Sequence, residues 1–321
     1  MFIDPCDEYS PERRDFLKTT GAAAAAALTV AAPAGAASLD QVHETKPGPL
    51  LPTVPFGKHR LTRLLAGANT IYGYSHFNQL FSQHMTEYHS TERILSFLQQ
   101  LERAGVNTWQ ASWSERLEND WLRYKEQGGK LQLLMLSRPN FNDTPEILTR
   151  VMKLKPLGVA QHGSRTNQFW EEGRLDKSLD YLKRVRDTGA MVGLSCHNPK
   201  EVEYAEEKGW DVDYYMTSLY YMNRSRQTFE KLLGEAPFGE IYLASDPPKM
   251  LATVRQAKKP CLAYKVLAAG RTVNSSQQIR ERIAAALNGI KPTDAIILGI
   301  YQRYSDQIGQ NAGFVREILG S

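Results

Sequence analysis

The sequence predicts a (β/α)8 barrel, an α/β fold in which eight parallel strands alternate with helices. Two observations support this prediction. Short apolar runs recur along the chain, and amphipathic stretches with helical spacing separate them. The chain of 321 residues is also long enough for one large domain with a sizeable core. A doubly wound open sheet is the second possibility, because it shows the same alternation of strands and helices.

Eight apolar runs have the length and composition of buried parallel strands. In chain order the predicted strands are Leu64–Ala68, Asn107–Ala111, Leu131–Leu136, Gly158–Gln161, Met191–Ser195, Tyr214–Leu219, Cys261–Leu267 and Ala295–Ile300. Start signals such as Ser90-Thr91-Glu92 and Asn198-Pro199 precede several of the intervening helices. A further apolar run, Phe238–Leu243, is interpreted as an insertion in the loop after the sixth strand. If it formed a barrel strand, the count of eight would be wrong.

The N-terminal segment, residues 1–37, has the features of a twin-arginine export signal. Arg13 and Arg14 precede Phe16, an Ala-rich apolar stretch follows, and Ala34-Gly35-Ala36 offers the small residues that signal peptidase requires. We therefore expect the twin-arginine translocase and signal peptidase as partners, a periplasmic or secreted location, and no stable membrane anchor. Residues 38–55 are predicted to be a linker, and residues 56–321 the barrel domain.

Composition excludes several classes of partner. The formal net charge is +4, and no run of lysines and arginines stands out, so nucleic acid is not an expected partner. Outside the export signal only Cys196 and Cys261 remain, which is too few for a disulfide framework. The expected partner is a small-molecule substrate.

Over residues 56–321 the sequence resembles the aldo-keto reductases. Phe56-Gly57-Lys58-His59-Arg60-Leu61 is similar to the N-terminal hairpin of that family, and Val192-Gly193-Leu194-Ser195 to its fifth strand. Leu267-Ala268-Ala269-Gly270-Arg271 resembles its seventh strand, and Gln307-Ile308-Gly309-Gln310-Asn311 its adenine-binding element. The resemblance implies NADP as a possible cofactor. The residues it implies for cofactor binding are Ser195, Tyr220, Gly270, Arg303, Gln307 and Asn311.

The same resemblance implies that the redox step has been changed or lost. The family uses a tyrosine proton donor, a lysine–aspartate pair and a histidine after the fourth strand. His162 stands at the histidine position, but Gln110 falls on the aspartate, Glu115 near the tyrosine, and Ser137 or Arg138 on the lysine. Without the tyrosine, no obvious group is placed to protonate a carbonyl oxygen during hydride transfer.

Reactive groups of barrels lie at the C-terminal ends of the strands, so the site can be predicted from those positions. The catalytic candidates are His162, His197, Glu115 and Lys265. The substrate-binding candidates are His76, Trp109, Gln110, Trp113, Arg138 and Arg271. His162 and His197 could share a substrate, a proton relay or a divalent metal, although no known metal-ligand spacing is present. Lys265 interrupts an apolar strand and is either paired in an ion pair or forms a Schiff base.

These observations predict an exported barrel enzyme that acts on a small carbonyl or sugar-like compound. Its mechanism would be His-based acid/base chemistry of the lyase, isomerase or hydrolase type. One alternative is an NADP-dependent oxidoreductase with a substitute proton donor, Tyr72 or Tyr74. A second alternative is a sugar-binding barrel without catalytic activity.

Overall fold

The structure is a computed structural model that describes residues 43–138 and 145–321. The predicted export signal lies outside the described residues. The strands are β1 Thr53–Phe56, β2 His59–Thr62, β3 Leu64–Gly67, β4 Thr108–Ser112, β5 Gln132–Leu136, β6 Gly158–Gln161, β7 Met191–Cys196, β8 Tyr214–Ser218, β9 Cys261–Tyr264 and β10 Ala295–Gly299. The α-helices of the described part are α1 Gln79–Tyr88, α2 Thr91–Arg103, α3 Glu115–Glu126, α4 Pro145–Lys153, α5 Gly163–Glu171, α6 Ser178–Asp187, α7 Pro199–Glu207, α8 Arg226–Leu233, α9 Asp246–Gln256, α10 Ser276–Gly289 and α11 Gln307–Leu319.

Strands β3 to β10 form a closed parallel barrel, in which β10 pairs with β3. The predicted (β/α)8 barrel is therefore confirmed, and each of the eight predicted runs supplies one barrel strand. Phe238–Leu243 contains no strand and lies in the connection between α8 and α9, as the insertion interpretation requires. Most boundaries agree to within one residue, and the largest difference is at β9, which ends at Tyr264 and not at Leu267. Lys265 has a φ of 60°, which an extended strand cannot contain.

A two-stranded hairpin, β1 with β2, covers the N-terminal end of the barrel. Its Phe56 and Leu61 are buried against inward-facing side chains of the barrel strands, including Leu134 and Tyr214. The rings of Phe56 and Tyr214 pack edge to face, with centroids 4.9 Å apart. This hairpin is the one that the family resemblance implied, and it leaves the opposite end of the barrel as the place for a site.

Residues 43–55, the described part of the predicted linker, pack against the barrel domain. Strand β1 begins at Thr53, inside the predicted linker of residues 38–55. Thr45 is buried, and its hydroxyl donates to the Asp306 carboxylate at 2.7 Å. The Gly48 backbone N–H donates to the Arg103 carbonyl at 2.8 Å. The segment from residue 43 therefore packs along the barrel, because its backbone and side-chain groups find partners there.

The helices begin where the sequence places capping residues. The Ser90 side chain accepts from the Arg93 N–H at the start of α2, and Asn198 with Glu201 forms a capping box at the start of α7. These caps fix the loops that leave the barrel strands and so position the side chains at the barrel mouth. No helix among the described residues is long and apolar enough to cross a membrane.

Candidate active site

A cavity of about 760 Å³ opens at the C-terminal ends of the barrel strands. Its floor is formed by the ends of β3, β4, β9 and β10. Helix α1 and the loop after β9 form its sides, and the beginnings of α10 and α11 complete it. The lining residues on which the argument depends are Asn69, His76, Gln110, Tyr264, Lys265 and Asn311. A volume of this size accommodates a small organic molecule.

Three side chains at the edge of this cavity form a chain of hydrogen bonds. The Nζ atom of Lys265 lies 2.9 Å from Nε2 of His76. Nδ1 of the same ring lies 2.9 Å from a carboxylate oxygen of Glu240. The three residues come from different loops: His76 follows β3, Glu240 lies between α8 and α9, and Lys265 follows β9.

The partners determine which ring nitrogen of His76 carries the proton. An ionised carboxylate can only accept, so Nδ1 donates to Glu240. Nε2 then accepts from the Lys265 ammonium group and from the Asn69 side-chain amide, which lies 3.1 Å away. A carboxylate that orients a histidine, which in turn contacts a nucleophile, is the arrangement by which proteins activate a weak nucleophile.

The pKa values of the three groups fit this arrangement. Burial lowers the pKa of Lys265 to about 8, and the charge of Glu240 offsets only part of that effect. Burial also lowers the pKa of His76, although its hydrogen bond to Glu240 acts in the opposite direction. Burial raises the pKa of Glu240, but the bond from His76 and the charge of Lys265 outweigh burial, so that its pKa lies below the usual value. At neutral pH the chain therefore holds an ionised carboxylate, a neutral imidazole and a lysine that releases its proton readily.

Both ends of the Lys265–His76 contact lie on strained backbone. His76 has a φ of 59° and Lys265 a φ of 60°, in the left-handed region that L-residues with side chains rarely adopt. Such strain costs about 1–3 kcal/mol per residue and is concentrated at functional sites. The surrounding loops thus hold these two side chains together at a cost in stability.

Arg271 holds the His76 and Glu240 loops together. Its guanidinium lies 4.3 Å from the Phe77 ring centroid and 4.1 Å from that of Tyr242. It also donates to the backbone carbonyls of His76, at 3.1 Å, and Glu240, at 3.4 Å. The sequence predicted Arg271 as a substrate-binding residue, but its contacts are those of a positioning residue.

His162 directly follows the fourth barrel strand, as predicted, but its ring is engaged at the start of a helix. Nδ1 of His162 accepts from the Ser164 N–H at 3.1 Å and so caps the N-terminus of α5. Burial lowers its pKa to about 4, and the positive charge of Lys265 contributes to the shift. The ring is therefore neutral near pH 7 and has one nitrogen engaged in the cap. No hydrogen bond joins it to His76 or Lys265 in the described structure.

His197 is packed beneath the first residue of α5. The side chain is 4 % exposed, and burial lowers its pKa well below the usual value. A methyl group added to Gly163 would lie 2.6 Å from Cε1 of the His197 ring, which shows how closely the two residues are packed. The ring also packs on Tyr264, with centroids 5.9 Å apart. His197 thus packs against Tyr264 and Gly163 and does not line the cavity beside Lys265.

Three further candidates lie away from the cavity. Glu115, a predicted catalytic residue, is three-quarters exposed, pairs with Arg150 at 3.1 Å and does not line the cavity. Trp109 is fully buried and stacks on Trp121, with centroids 5.9 Å apart, because its side chain points out of the barrel toward α3. Trp113 donates to Glu118 and packs under the Arg150 guanidinium. These two predicted substrate-binding tryptophans therefore do not line the cavity.

Gln110 and Lys265 do line the cavity, as predicted. Arg138 donates to the Tyr74 hydroxyl at 2.9 Å, and Tyr74 lines the cavity as well. Tyr72, the other suggested proton donor, bonds instead to Asp120 at 3.2 Å on the outer side of the barrel. Of the two suggested donors, only Tyr74 reaches the cavity.

The residues implied for NADP divide into two groups. Gly270, Gln307 and Asn311 line the cavity. Ser195 bonds to the Tyr264 hydroxyl at 3.1 Å, and the buried ring of Tyr220 packs on Tyr242. Arg303 lies over the Tyr88 and Tyr304 rings, outside the described lining.

Whether NADP fits depends on which of its contacts the residues around the cavity can supply. The resemblance to the aldo-keto reductases implies that Cys196 and Met216 stand where that family has the asparagine and glutamine that contact the nicotinamide, and both side chains are buried in the protein interior. No arginine of the described chain lines the cavity to take the 2′-phosphate. The residues present do not fit NADP. Within residues 43–138 and 145–321, no group of three or more His, Cys, Asp and Glu side chains is arranged to hold a metal ion either.

Sequence reasoning missed Glu240, Asn69 and Tyr264 as site residues. Glu240 lies in the Phe238–Leu243 insertion, and its acidic side chain within an apolar run was the available signal. Tyr264 directly precedes Lys265, at the end of a barrel strand where functional groups are expected.

Comparison with known proteins supports the fold. A truncated 3-deoxy-D-arabino-heptulosonate 7-phosphate synthase from Thermotoga maritima is similar, with a TM-score of 0.51 and 12% identity over 84% of this chain and 92% of that chain. The chain has the fold of barrel enzymes. The glycerol dehydrogenase AKR11B4 from Gluconobacter oxydans is also similar, with a TM-score of 0.48 and 11% identity over 84% of this chain and 95% of that chain. No family model and no curated protein matches the sequence.

Proposed function

We propose that this chain is a barrel enzyme that acts on a carbonyl compound through the amine of Lys265, in chemistry of the lyase or isomerase type. The observation that carries the proposal is the Glu240–His76–Lys265 hydrogen-bond chain at the edge of the cavity. The acid/base role that the sequence assigned to His162 passes to His76, which contacts the lysine directly.

The chemistry follows from the contacts. His76 accepts a proton from the Lys265 ammonium group, and Glu240 stabilises the imidazolium that forms. The neutral amine attacks the carbonyl carbon, which gives an adduct with two protons on its nitrogen. His76 returns its proton to the oxygen, and one of the two nitrogen protons follows it, so that the oxygen leaves as water. The protonated imine that remains withdraws electrons from the neighbouring carbon. A proton or a carbon group can then leave that carbon, and hydrolysis of the imine afterwards releases the product and restores the amine.

Reductive trapping tests this mechanism. Propanal and borohydride convert an imine into a stable secondary amine, because borohydride supplies the hydride that reduces the C=N bond. With a pKa of about 8, Lys265 holds about two orders of magnitude more neutral amine at pH 7 than a lysine of ordinary pKa. Peptide mass spectrometry should therefore find Lys265 labelled first. Lys231, exposed on α8, is the internal control.

The variants Lys265→Met and Lys231→Met separate specific from general labelling. Lys265→Met should remove the fast label, and Lys231→Met should leave it unchanged. Equal labelling rates for Lys265 and Lys231 in the wild-type protein would refute the proposed mechanism.

We propose in addition that the protein is exported by the twin-arginine route, from the Arg13-Arg14 motif and the small residues that follow the Ala-rich stretch. The double variant Arg13→Lys/Arg14→Lys should accumulate in the cytoplasm with its N-terminal segment uncleaved. Cell fractionation measures this, and normal export of the variant would contradict the proposal.

A further inference from the structure

We infer that the carbonyl substrate carries an uncharged, apolar group, an alkyl chain or an aromatic ring, that occupies the cavity beside Lys265. The inference rests on the proposed function for the carbonyl end of the molecule. It concerns the other end, for which the sequence suggested a sugar.

The charge of the cavity argues against an anionic substrate. Among the described lining residues no aspartate, glutamate or arginine occurs, and Lys265 is the one with an ordinarily cationic side chain. Its ammonium group already donates to His76. Phosphate and carboxylate groups are held by arginine forks or clustered lysines, and this wall offers neither.

The walls beyond the catalytic end are largely hydrocarbon. Most of their accessible surface is apolar, although several polar residues contribute to them. The apolar side chains that line the cavity and are not fully buried are Phe77, Phe81, Leu267, Val273 and Ile279. They come from α1 and the segment before it, from the loop after β9 and from α10, so that they border the cavity on more than one side.

Three polar side chains in the same wall accept hydrogen bonds from the protein backbone. Asn78 and Ser275 accept from the backbone N–H groups of Phe81 and Gln278 and so cap α1 and α10. The Gln307 side-chain carbonyl accepts from the Tyr301 N–H at 2.9 Å. Sugar hydroxyl groups that face the apolar side chains of this wall would be buried without partners, at a cost of about 1–3 kcal/mol for each. An apolar group has no hydrogen bonds to water to lose, and its removal from water is favourable.

A series of straight-chain aldehydes from propanal to octanal tests the inference. Each added methylene that enters the cavity should lower the concentration needed for half-maximal trapping of Lys265 about fourfold. Ile279→Asp places a carboxylate in the wall and should abolish this dependence on chain length while propanal trapping persists. Leu232→Asp, at an exposed leucine of α8 outside the cavity, is the matched control and should keep the dependence.

A second measurement separates the two proposals. 1-Octanol cannot form an imine, so calorimetric titration of the Lys265→Met variant with this alcohol reports the apolar site alone. If the Lys265→Met variant binds 1-octanol but the wild-type protein traps no aldehyde at Lys265, the apolar site is upheld and the imine mechanism is overturned. Propanal trapping with no dependence on chain length and no binding of 1-octanol would uphold the mechanism and overturn the apolar site.

Discussion

At the scale of single residues, Lys265 is defined by what surrounds it more than by its position in the sequence. Its amine contacts a histidine that a carboxylate orients, and its backbone is held in the left-handed region. Burial lowers the pKa of Lys265 because the charged ammonium group loses its hydration. The negative charge of Glu240 raises the pKa again, but by less than burial lowers it. The balance leaves an amine that is reactive close to neutral pH.

The rate of imine trapping at Lys265 should rise with pH and level off above a midpoint of about 8. The sign follows from the chemistry, since only the neutral amine attacks a carbonyl, and the neutral fraction grows as pH passes the pKa. His76→Gln removes the proton acceptor and should slow trapping at pH 7 by about 10²-fold or more. Rates of borohydride trapping between pH 6 and 10 measure both effects. A midpoint near 10.5 in the wild-type protein would contradict the burial argument.

At the scale of elements, the barrel strands are packed too closely for added side-chain atoms. A methyl group built on Gly193 of β7 would lie 2.4 Å from the Tyr214 ring and 2.7 Å from Cβ of Ala160. Tyr214 is itself fixed by the ring of Phe56 from the hairpin. Three neighbouring elements therefore depend on the absence of a side chain at this one position.

Gly193→Ala should destabilise the protein by about 1–3 kcal/mol, because overpacking forces neighbouring side chains out of their preferred rotamers. Gly313 in α11 provides the opposite case, since its added methyl group would meet nothing within 4 Å. Gly313→Ala should stabilise the protein by about 0.5–1 kcal/mol through helix propensity. Urea unfolding of the two variants measures the changes. A loss of stability in Gly313→Ala equal to that of Gly193→Ala would show that packing is not the cause.

The strands were predictable because a parallel barrel buries both of their faces, which leaves continuous apolar runs in the sequence. The site was predictable only where a residue lies in or directly after the C-terminal half of a barrel strand, as with Gln110 in β4 and Lys265 after β9. Glu240 and the role of His76 depend on how two long loops fold back over the mouth, and no periodicity in the sequence encodes that. Trp109 was misplaced because an alternating strand sends successive side chains to opposite faces, and the sequence did not reveal which face was inward.

At the scale of the whole molecule, histidines buried in the neutral form make stability depend on pH. Burial lowers the pKa of His89 to about 4, and its Nδ1–H donates to the Met85 carbonyl at 2.8 Å. His162 has a similarly low pKa of about 4, also because of burial. In the unfolded chain both would titrate near the ordinary value of 6.5, so the unfolded state takes up protons first as the pH falls.

The contribution of these histidines to the free energy of unfolding should therefore be constant above about pH 7 and should fall as the pH drops from 6.5 toward 4. His89 alone should account for a loss of about 1–2 kcal/mol between pH 7 and pH 5. Burial raises the pKa of Glu201 to about 8, so this carboxyl group changes the stability in the opposite direction over the same interval. Urea unfolding of the wild type and of His89→Gln at a series of pH values isolates the effect of His89, because the difference between the two proteins should shift by that amount. A difference that does not change with pH would contradict the low pKa of His89.

The hairpin of β1 and β2 has a kinetic consequence. Side chains fill the barrel interior, and Phe56 and Leu61 cover its N-terminal end, so that under the proposed mechanism substrate and product both pass through the cavity at the C-terminal ends of the described strands. A product that dissociates slowly from this cavity prevents the next substrate from binding. Turnover should therefore slow as product accumulates, in the pattern of competitive inhibition. An enzyme built in this way works best where its product is carried off quickly.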